Sequence, residues 1–201
     1  AKFEKVSIEE GLSNEYVTSI FQDSKGYIWI GTKDGLNRFD GEKVKIYNCN
    51  AENKNSLSST YINDIEEDIN GNIWIATDSG LDFLVTDSDT ITRMRDWESD
   101  KYNLGNLKIT SLLKSEQEEH IMWVGTEKGL IKVDVLKNKM EAFYHNENDS
   151  NSLTNSYITC LENGENNTLW VGTKRGVNLI DKDLKINANK NREIKLEICN
   201  I

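Results

Sequence analysis

Two histidines, three cysteines and 34 acidic side chains are the groups that can carry proton transfer, nucleophilic attack or metal binding in this chain. His120 stands in a charged stretch and His145 in a polar connector, neither of them in a nucleophile or metal-ligand motif. Both are expected to be solvent-exposed. Cys49, Cys160 and Cys199 are an odd count without regular spacing, which outlines neither a disulfide framework nor a zinc site. All three are read as free thiols, with Cys160 an inert core residue of an apolar strand. A Cys49–Cys199 pair stays open, because sequence cannot place their Cα atoms within bonding range. Neighbouring acids such as Glu66-Glu67 and Glu118-Glu119 have the chemistry of an acid and a base, but 34 acids in 201 residues produce such neighbours by composition alone. Walker, dinucleotide and calcium-loop motifs are absent. The expectation is a non-enzyme with no catalytic residue, no cofactor and no metal.

Recognition fits the residues better than catalysis. Tyr16, Tyr61 and Tyr157 each precede an apolar, strand-like stretch, with Asn14 and Asn155 two residues ahead of the first and last. Lys33, Asp34, Asp78, Lys174 and Arg175 sit in short polar turns. Tyrosines with amides, acids and cations can stack on and hydrogen-bond a polar ligand such as an oligosaccharide. The same residues also suit ordinary exposed turns, which are polar without being selected for binding.

The elements that must position them follow from a repeat. WIGTKDGLNRFDG from Trp29 recurs as WIATDSGLDFL from Trp74, WVGTEKGLIKVD from Trp123 and WVGTKRGVNLID from Trp170, at intervals of 45, 49 and 47 residues. Self-similarity at this period sets the architecture. Tyr27–Thr32 is β-branched and aromatic without helical period, so it reads as a strand with both faces apolar or small, packed between two sheets. Gly35, Gly80, Gly129 and Gly176 each close a tight hairpin turn into a returning strand. The small residues Gly31, Ala76, Gly125 and Gly172, two positions past each tryptophan, leave room for a large neighbour. The tryptophans are assigned to inter-sheet packing.

Four short strands joined by hairpins in about 45 residues form a propeller blade. The first is Tyr16–Phe21, Tyr27–Thr32, Leu36–Asp40 and Val44–Asn48; the second is Tyr61–Glu66, Asn72–Thr77, Leu81–Val85 and Thr90–Arg95. The third opens at Lys108–Leu113 and carries two extra residues within Lys114–His120. The fourth uses Tyr157–Glu162, Thr168–Thr173 and Val177–Asp181, then loosens before a last strand-like run, Glu193–Cys199. The fold class is therefore all-β, a β-propeller of four-stranded antiparallel blades with four in this chain, approximately 11–55, 56–103, 104–151 and 152–201. Polar connectors between them end at Leu12, Leu57, Leu104 and Leu153, each five residues before an inner strand and each read as a buried anchor.

The net charge of −10 and pI near 4.8 argue against binding nucleic acid or an anionic membrane through a basic patch, and favour a neutral or cationic ligand. No stretch approaches the length of a membrane span and no signal peptide is visible. The abrupt start inside strand-like sequence suggests a fragment or a processed ectodomain.

The pattern GLSNEYVTSIFQDSKGYIWIGTKDGLNRFDG resembles the two-component regulator propeller repeat of bacterial sensor proteins, and four copies cover essentially the whole chain. Repeats three and four depart from it, losing the counterparts of Asp23 and, near Asn166-Asn167, of Gly26. The Asp-x-x-Gly-x-x-Trp hairpins also resemble the aspartate boxes of glycan-cleaving propellers, with different spacing; those boxes are structural. The family resemblance implies an extracytoplasmic input module of a membrane histidine kinase or diguanylate-cyclase-type receptor, with glycans among the inputs and any membrane attachment outside this chain. The alternative is a scaffold or dimerisation propeller without a small-molecule ligand.

Ring closure is the remaining expectation. Phe3–Ile8 resembles the outer strand Glu42–Asn48 and is expected to dock as the outer strand of a fourth blade, its own or another molecule's. Two chains are expected to meet about a two-fold axis as a homodimer, each blade one facing the other chain's blade four; the alternative is a closed four-blade ring.

Overall fold

The computed structural model describes residues 5–94 and 102–181, with the backbone of 186–187. Its strands form four antiparallel four-stranded sheets, each in sequence order. Blade one is β1 (Val17–Gln22), β2 (Ile28–Thr32), β3 (Gly35–Phe39) and β4 (Val44–Tyr47). Blade two is β5 (Ile62–Glu67), β6 (Ile73–Thr77), β7 (Gly80–Val85) and β8 (Thr90–Arg93). Blade three is β9 (Ile109–Lys114), β10 (Ile121–Thr126), β11 (Leu130–Asp134) and β12 (Lys139–Phe143); blade four is β13 (Ile158–Gly164), β14 (Thr168–Thr173), β15 (Gly176–Ile180) and β16 (Ile186–Asn187). These are four blades of a β-propeller, with the inner strands β1, β5, β9 and β13 in contact in that order.

Blades pack by the small residue after each tryptophan. A Cβ at Gly31 would lie 2.8 Å from Ile62 Cγ2 of the next blade, and one at Gly125 would lie 2.8 Å from Ile158 Cγ2. Ala76 and Ile109 share one core cluster in the same way. The anchors Leu12, Leu57, Leu104 and Leu153 are all buried. The residue after three of them is held by a polar side chain on the third strand: Asn37 Oδ1 accepts from the Ser13 N–H, Asp82 Oδ2 from Ser58 and Asn178 Oδ1 from Thr154. Asp23 Oδ2 accepts from Trp29 Nε1 at 2.8 Å while its Oδ1 accepts the Lys25 and Tyr27 N–H groups, tying the first hairpin to the tryptophan. Asp68 repeats this with Trp74 at 3.0 Å. In blade four, Asn166 and Asn167 take positive φ, so the hairpin that lost its glycine uses a pair of residues that tolerate the left-handed region.

Several expectations are corrected. The described part of Phe3–Ile8 is not a strand: Lys5–Ser7 is irregular and Ile8–Glu10 is a 3₁₀ turn, because Ser7 and Glu10 form a reciprocal capping box and Gly11 ends the turn in the left-handed region. The place beside β15 belongs to β16. Glu193–Cys199 and Trp97 lie outside the described residues. Trp29, Trp74 and Trp123 are buried, but Trp170 is only half-buried, and Cys160 is exposed, because no blade covers the far side of blade four among the described residues. Gly129 does not take positive φ, unlike Gly35, Gly80 and Gly176; its lack of a side chain instead admits the Tyr144 ring, 2.7 Å from where a Cβ would stand.

Candidate functional site

The entry to each inner strand and the turn between the two middle strands of the same blade are joined by a backbone bond. Lys33 N–H donates to Tyr16 O, Asp78 to Tyr61, Glu127 to Lys108 and Lys174 to Tyr157. Local turns aim the tyrosines: Asn14 Oδ1 accepts from Tyr16 N–H and Asn155 Oδ1 from Tyr157 N–H, both at 2.8 Å, and Ser59 Oγ accepts from Tyr61 N–H at 3.2 Å. On this frame a cation stands over an aromatic ring. Lys33 Nζ lies 3.5 Å from the Tyr16 ring centroid and Lys174 Nζ 3.6 Å from that of Tyr157.

Blade two inverts the pattern. Asp78 replaces the turn lysine, and the cation comes from the next blade as Lys108, 2.6 Å from Asp78 and 5.7 Å from the Tyr61 ring. Asn63 Nδ2 donates to Asp78 and to Ile109 O, bracing the pair. The Asp78 carboxylate holds the Lys108 ammonium above the ordinary lysine range, with smaller contributions from Tyr157 and Tyr61. The structure thus gathers Tyr61, Asp78 and Lys108, while Tyr16 with Lys33 and Tyr157 with Lys174 form separate pairs. Asp34 and Arg175 are exposed, and their backbone N–H groups donate to Thr32 Oγ1 and Thr173 Oγ1. Lys108 was not singled out from the sequence, although it occupies the tyrosine position of the third repeat and so could have been found there.

The opposite face carries a cavity of about 100 Å³ between blades three and four, lined in part by Trp123, Glu118, Lys132, Asn163 and Thr168. It exists because the third repeat lacks the aspartate that closes this corner beside Trp29 and Trp74. Lys132 reaches over the Trp123 ring at 5.6 Å and approaches Glu118 at 3.5 Å.

The groups with catalytic chemistry are occupied otherwise. Glu67 is buried and accepts from Ser24 N–H and Oγ, and Glu66 accepts from Glu67 and Lys114 N–H groups. Both histidines are half-buried rather than exposed: His145 Nδ1 is 2.6 Å from Leu153 O, and His120 Nε2 is 3.8 Å from Asp134. Among the described residues no group of three or more His, Cys, Asp or Glu side chains is placed to hold a metal, and no helix is long and apolar enough to cross a membrane.

Comparison with known proteins agrees with this architecture. The family model described as Two component regulator propeller matches residues 11–34, 56–79 and 152–175. A histidine kinase, P4, of Formosa agariphila is 51% identical over 47 residues, which is 23% of this chain and 3% of that protein. The extracellular domain of a candidate hybrid two component system from B. thetaiotaomicron superposes with a TM-score of 0.76 at 25% identity, covering 94% of this chain and 26% of that one. Virginiamycin B lyase from Staphylococcus aureus shares the fold alone, with a TM-score of 0.61 at 14% identity over 87% of this chain and 55% of its own. The chain therefore spans about a quarter of the sensor domain it matches and a small fraction of the kinase. Three of the four sheets thus carry the two-component regulator propeller repeat, and the fourth has the same design.

Proposed function

We propose that this propeller is an input module of a bacterial signal-transduction receptor, held on the extracytoplasmic side, and that it reads a polar ligand such as an oligosaccharide on the face bearing Tyr16, Tyr61 and Tyr157. The observation that carries the reading is a tyrosine ring at equivalent places of blades one, two and four, paired with its own blade's turn lysine in blades one and four and approached by Lys108 of the next blade in blade two. An aromatic ring can stack on a sugar face, and an ammonium beside it can donate to hydroxyl or carboxylate oxygens. The net charge of −10 is not shared by this face, where Lys33, Lys108, Lys128, Lys174 and Arg175 face Glu15, Asp34, Asp78 and Glu127. Acidic oligosaccharides therefore belong in the test beside neutral ones. The sensor domain from B. thetaiotaomicron and the histidine kinase from F. agariphila support the signalling role.

The test is a thermal-shift and calorimetric screen of neutral and acidic oligosaccharides on the wild type and on the triple variant Tyr16→Ala, Tyr61→Ala, Tyr157→Ala. A ligand at a hundredfold excess over its Kd stabilises by about 2.7 kcal/mol. Binding should be lost in the triple variant with little change in its ligand-free melting. Equal binding by both proteins would remove this face from the reading.

A further inference from the structure

In blades one and two a carboxylate closes the corner beside the tryptophan; in blade three a hydroxyl stands there, next to a cavity. β9 pairs Leu113 with Trp123 as β1 pairs Phe21 with Trp29 and β5 pairs Glu66 with Trp74. Two residues on, Ser115 therefore holds the place of Asp23 and Asp68. Its N–H donates across the hairpin to Ile121 O at 3.0 Å, as theirs donate to Tyr27 O and Asn72 O. The Trp123 ring keeps the place of Trp29. Lys132 Nζ stands 5.6 Å from its centroid as Arg38 stands 5.8 Å from that of Trp29, and Phe143 lies at 6.0 Å as Tyr47 does at 5.8 Å. Trp29 and Trp74 donate Nε1–H to Asp23 and Asp68, whereas Trp123, only 6% exposed, has no acceptor for its Nε1–H among the described residues. Ser115 Oγ accepts from Glu118 N–H at 3.2 Å, and no described group accepts its hydrogen. Ser115, Trp123 and Lys132 line one cavity of about 100 Å³.

We propose that this cavity binds a carboxylate group, which takes the place that the aspartate holds in blades one and two. Trp123 Nε1–H and Ser115 Oγ–H donate to its oxygens, and the Lys132 ammonium supplies the opposite charge; hydrogen bonds to an ionised acceptor are the stronger kind. A buried indole N–H without an acceptor is costly, so the ligand gains what Asp23 and Asp68 gain from their own tryptophans. A cavity of about 150 Å³ admits benzene, so one of about 100 Å³ admits a carboxylate with a methyl group, or the acid end of a larger molecule. Glu118 is 54% exposed, stands 3.5 Å from Lys132 and is the group that a bound carboxylate displaces. Glu118 and Asp181 both line the cavity and disfavour an anion held by charge alone, so the site selects an acceptor that can take two hydrogen bonds. It lies on the face opposite the tyrosines, at a junction inside the chain, and does not rest on the oligosaccharide reading.

The experiment follows the indole N–H resonances of the isotope-labelled chain in an NMR titration, with Trp123→Phe identifying the Trp123 signal. The probes are sodium acetate and sodium glucuronate, with sodium chloride at the same ionic strength as the control. Acetate should move the Trp123 signal to saturation, and chloride should leave it in place. A response to acetate alone assigns the cavity to small organic acids, and a response to glucuronate as well extends it to sugar acids; either supports the site. Ser115→Asp restores the internal carboxylate, so the Trp123 signal should move without ligand and its response to acetate should be lost. Glu118→Gln removes the competitor for Lys132 and should saturate at a severalfold lower acetate concentration. A Trp123 signal indifferent to acetate, an equal shift with chloride, a full response in Ser115→Asp or an unchanged affinity in Glu118→Gln would each overturn the proposal.

Discussion

Asp64, Ser19, Ser111 and Cys160 hold the same place on the four inner strands, opposite Ala76, Gly31, Gly125 and Gly172. The aspartate reaches the next blade, where its Oδ2 accepts from Leu112 N–H at 2.8 Å; the buried hydroxyls of Ser19 and Ser111 find no hydrogen-bond partner among the described residues. Burial pushes the Asp64 carboxyl up to about 6 from an ordinary 3.8, against two backbone N–H donors that favour the ionised form. The native state thus binds the proton more tightly than the unfolded chain does. The stability linked to this group is fully present below about pH 4 and is lost as pH rises through about 6. Glu66 is raised in the same direction, also chiefly by burial, so the two act together. Comparing wild type with Asp64→Asn in urea unfolding across pH 4 to 7 isolates the Asp64 share. The wild type should lose about 2 kcal/mol more than the variant over that range. Identical pH slopes would mean that the carboxylate is solvated in the native state.

At the scale of elements, the connectors and turns carry more of the fold than their polarity suggests. Arg93, at the end of β8, is buried, with Nε donating to Ser56 O at 2.7 Å and Nη2 within bonding distance of Asn50 O, Asn53 O and Leu57 O. It clamps the connector that leads into blade two. Lysine keeps the charge but not the planar fork, so Arg93→Lys should cost about 2–4 kcal/mol in a urea titration. A cost below about 0.5 kcal/mol would show that the connector holds its shape without the clamp. The turn glycines are not equivalent either. Gly80 combines φ of +139° with a backbone oxygen, Gly105 O, 2.6 Å from where a Cβ would stand. At Gly129 φ is not positive, and a Cβ would meet the Tyr144 ring at 2.7 Å, which can move, and Phe143 O at 2.9 Å, a looser backbone contact than at Gly80. Gly80→Ala should therefore lower the melting temperature well below that of Gly129→Ala; equal losses would contradict this account of the turns.

At the scale of the whole molecule, what was legible in the sequence was what each blade decides locally. The tryptophan–glycine spacing, the hairpin aspartates and the leucine anchors place strands to within a residue or two. What was not legible depends on neighbours. Cys160 and Trp170 sit in the same strand places as their counterparts, and the lack of a covering sheet among the described residues leaves one exposed and the other half-buried. Phe3–Ile8 alternates like a strand, yet the Ser7-x-x-Glu10 capping box at its end decides the described part of its conformation. In the candidate site, the tyrosine positions follow from the repeat, but the ammonium over each ring and the reach of Lys108 to Asp78 are distances across turns and blades. The same dependence on neighbours should grade stability along the arc. β5 and β9 are covered on both sides, and their apolar positions are buried except Leu113, which is half-buried; β1 is half-buried or exposed throughout, and β13 keeps only Ile158 buried. In a repeat architecture, stability is a sum over blades and junctions, so a blade with one junction opens before a blade with two. Amide hydrogen exchange on the dilute chain should show slowest exchange in β6, β7, β10 and β11, and fastest among the paired strands of blades one and four. Uniform protection in all four blades would mean that the chain opens only as a unit, with the terminal junctions as strong as the central one.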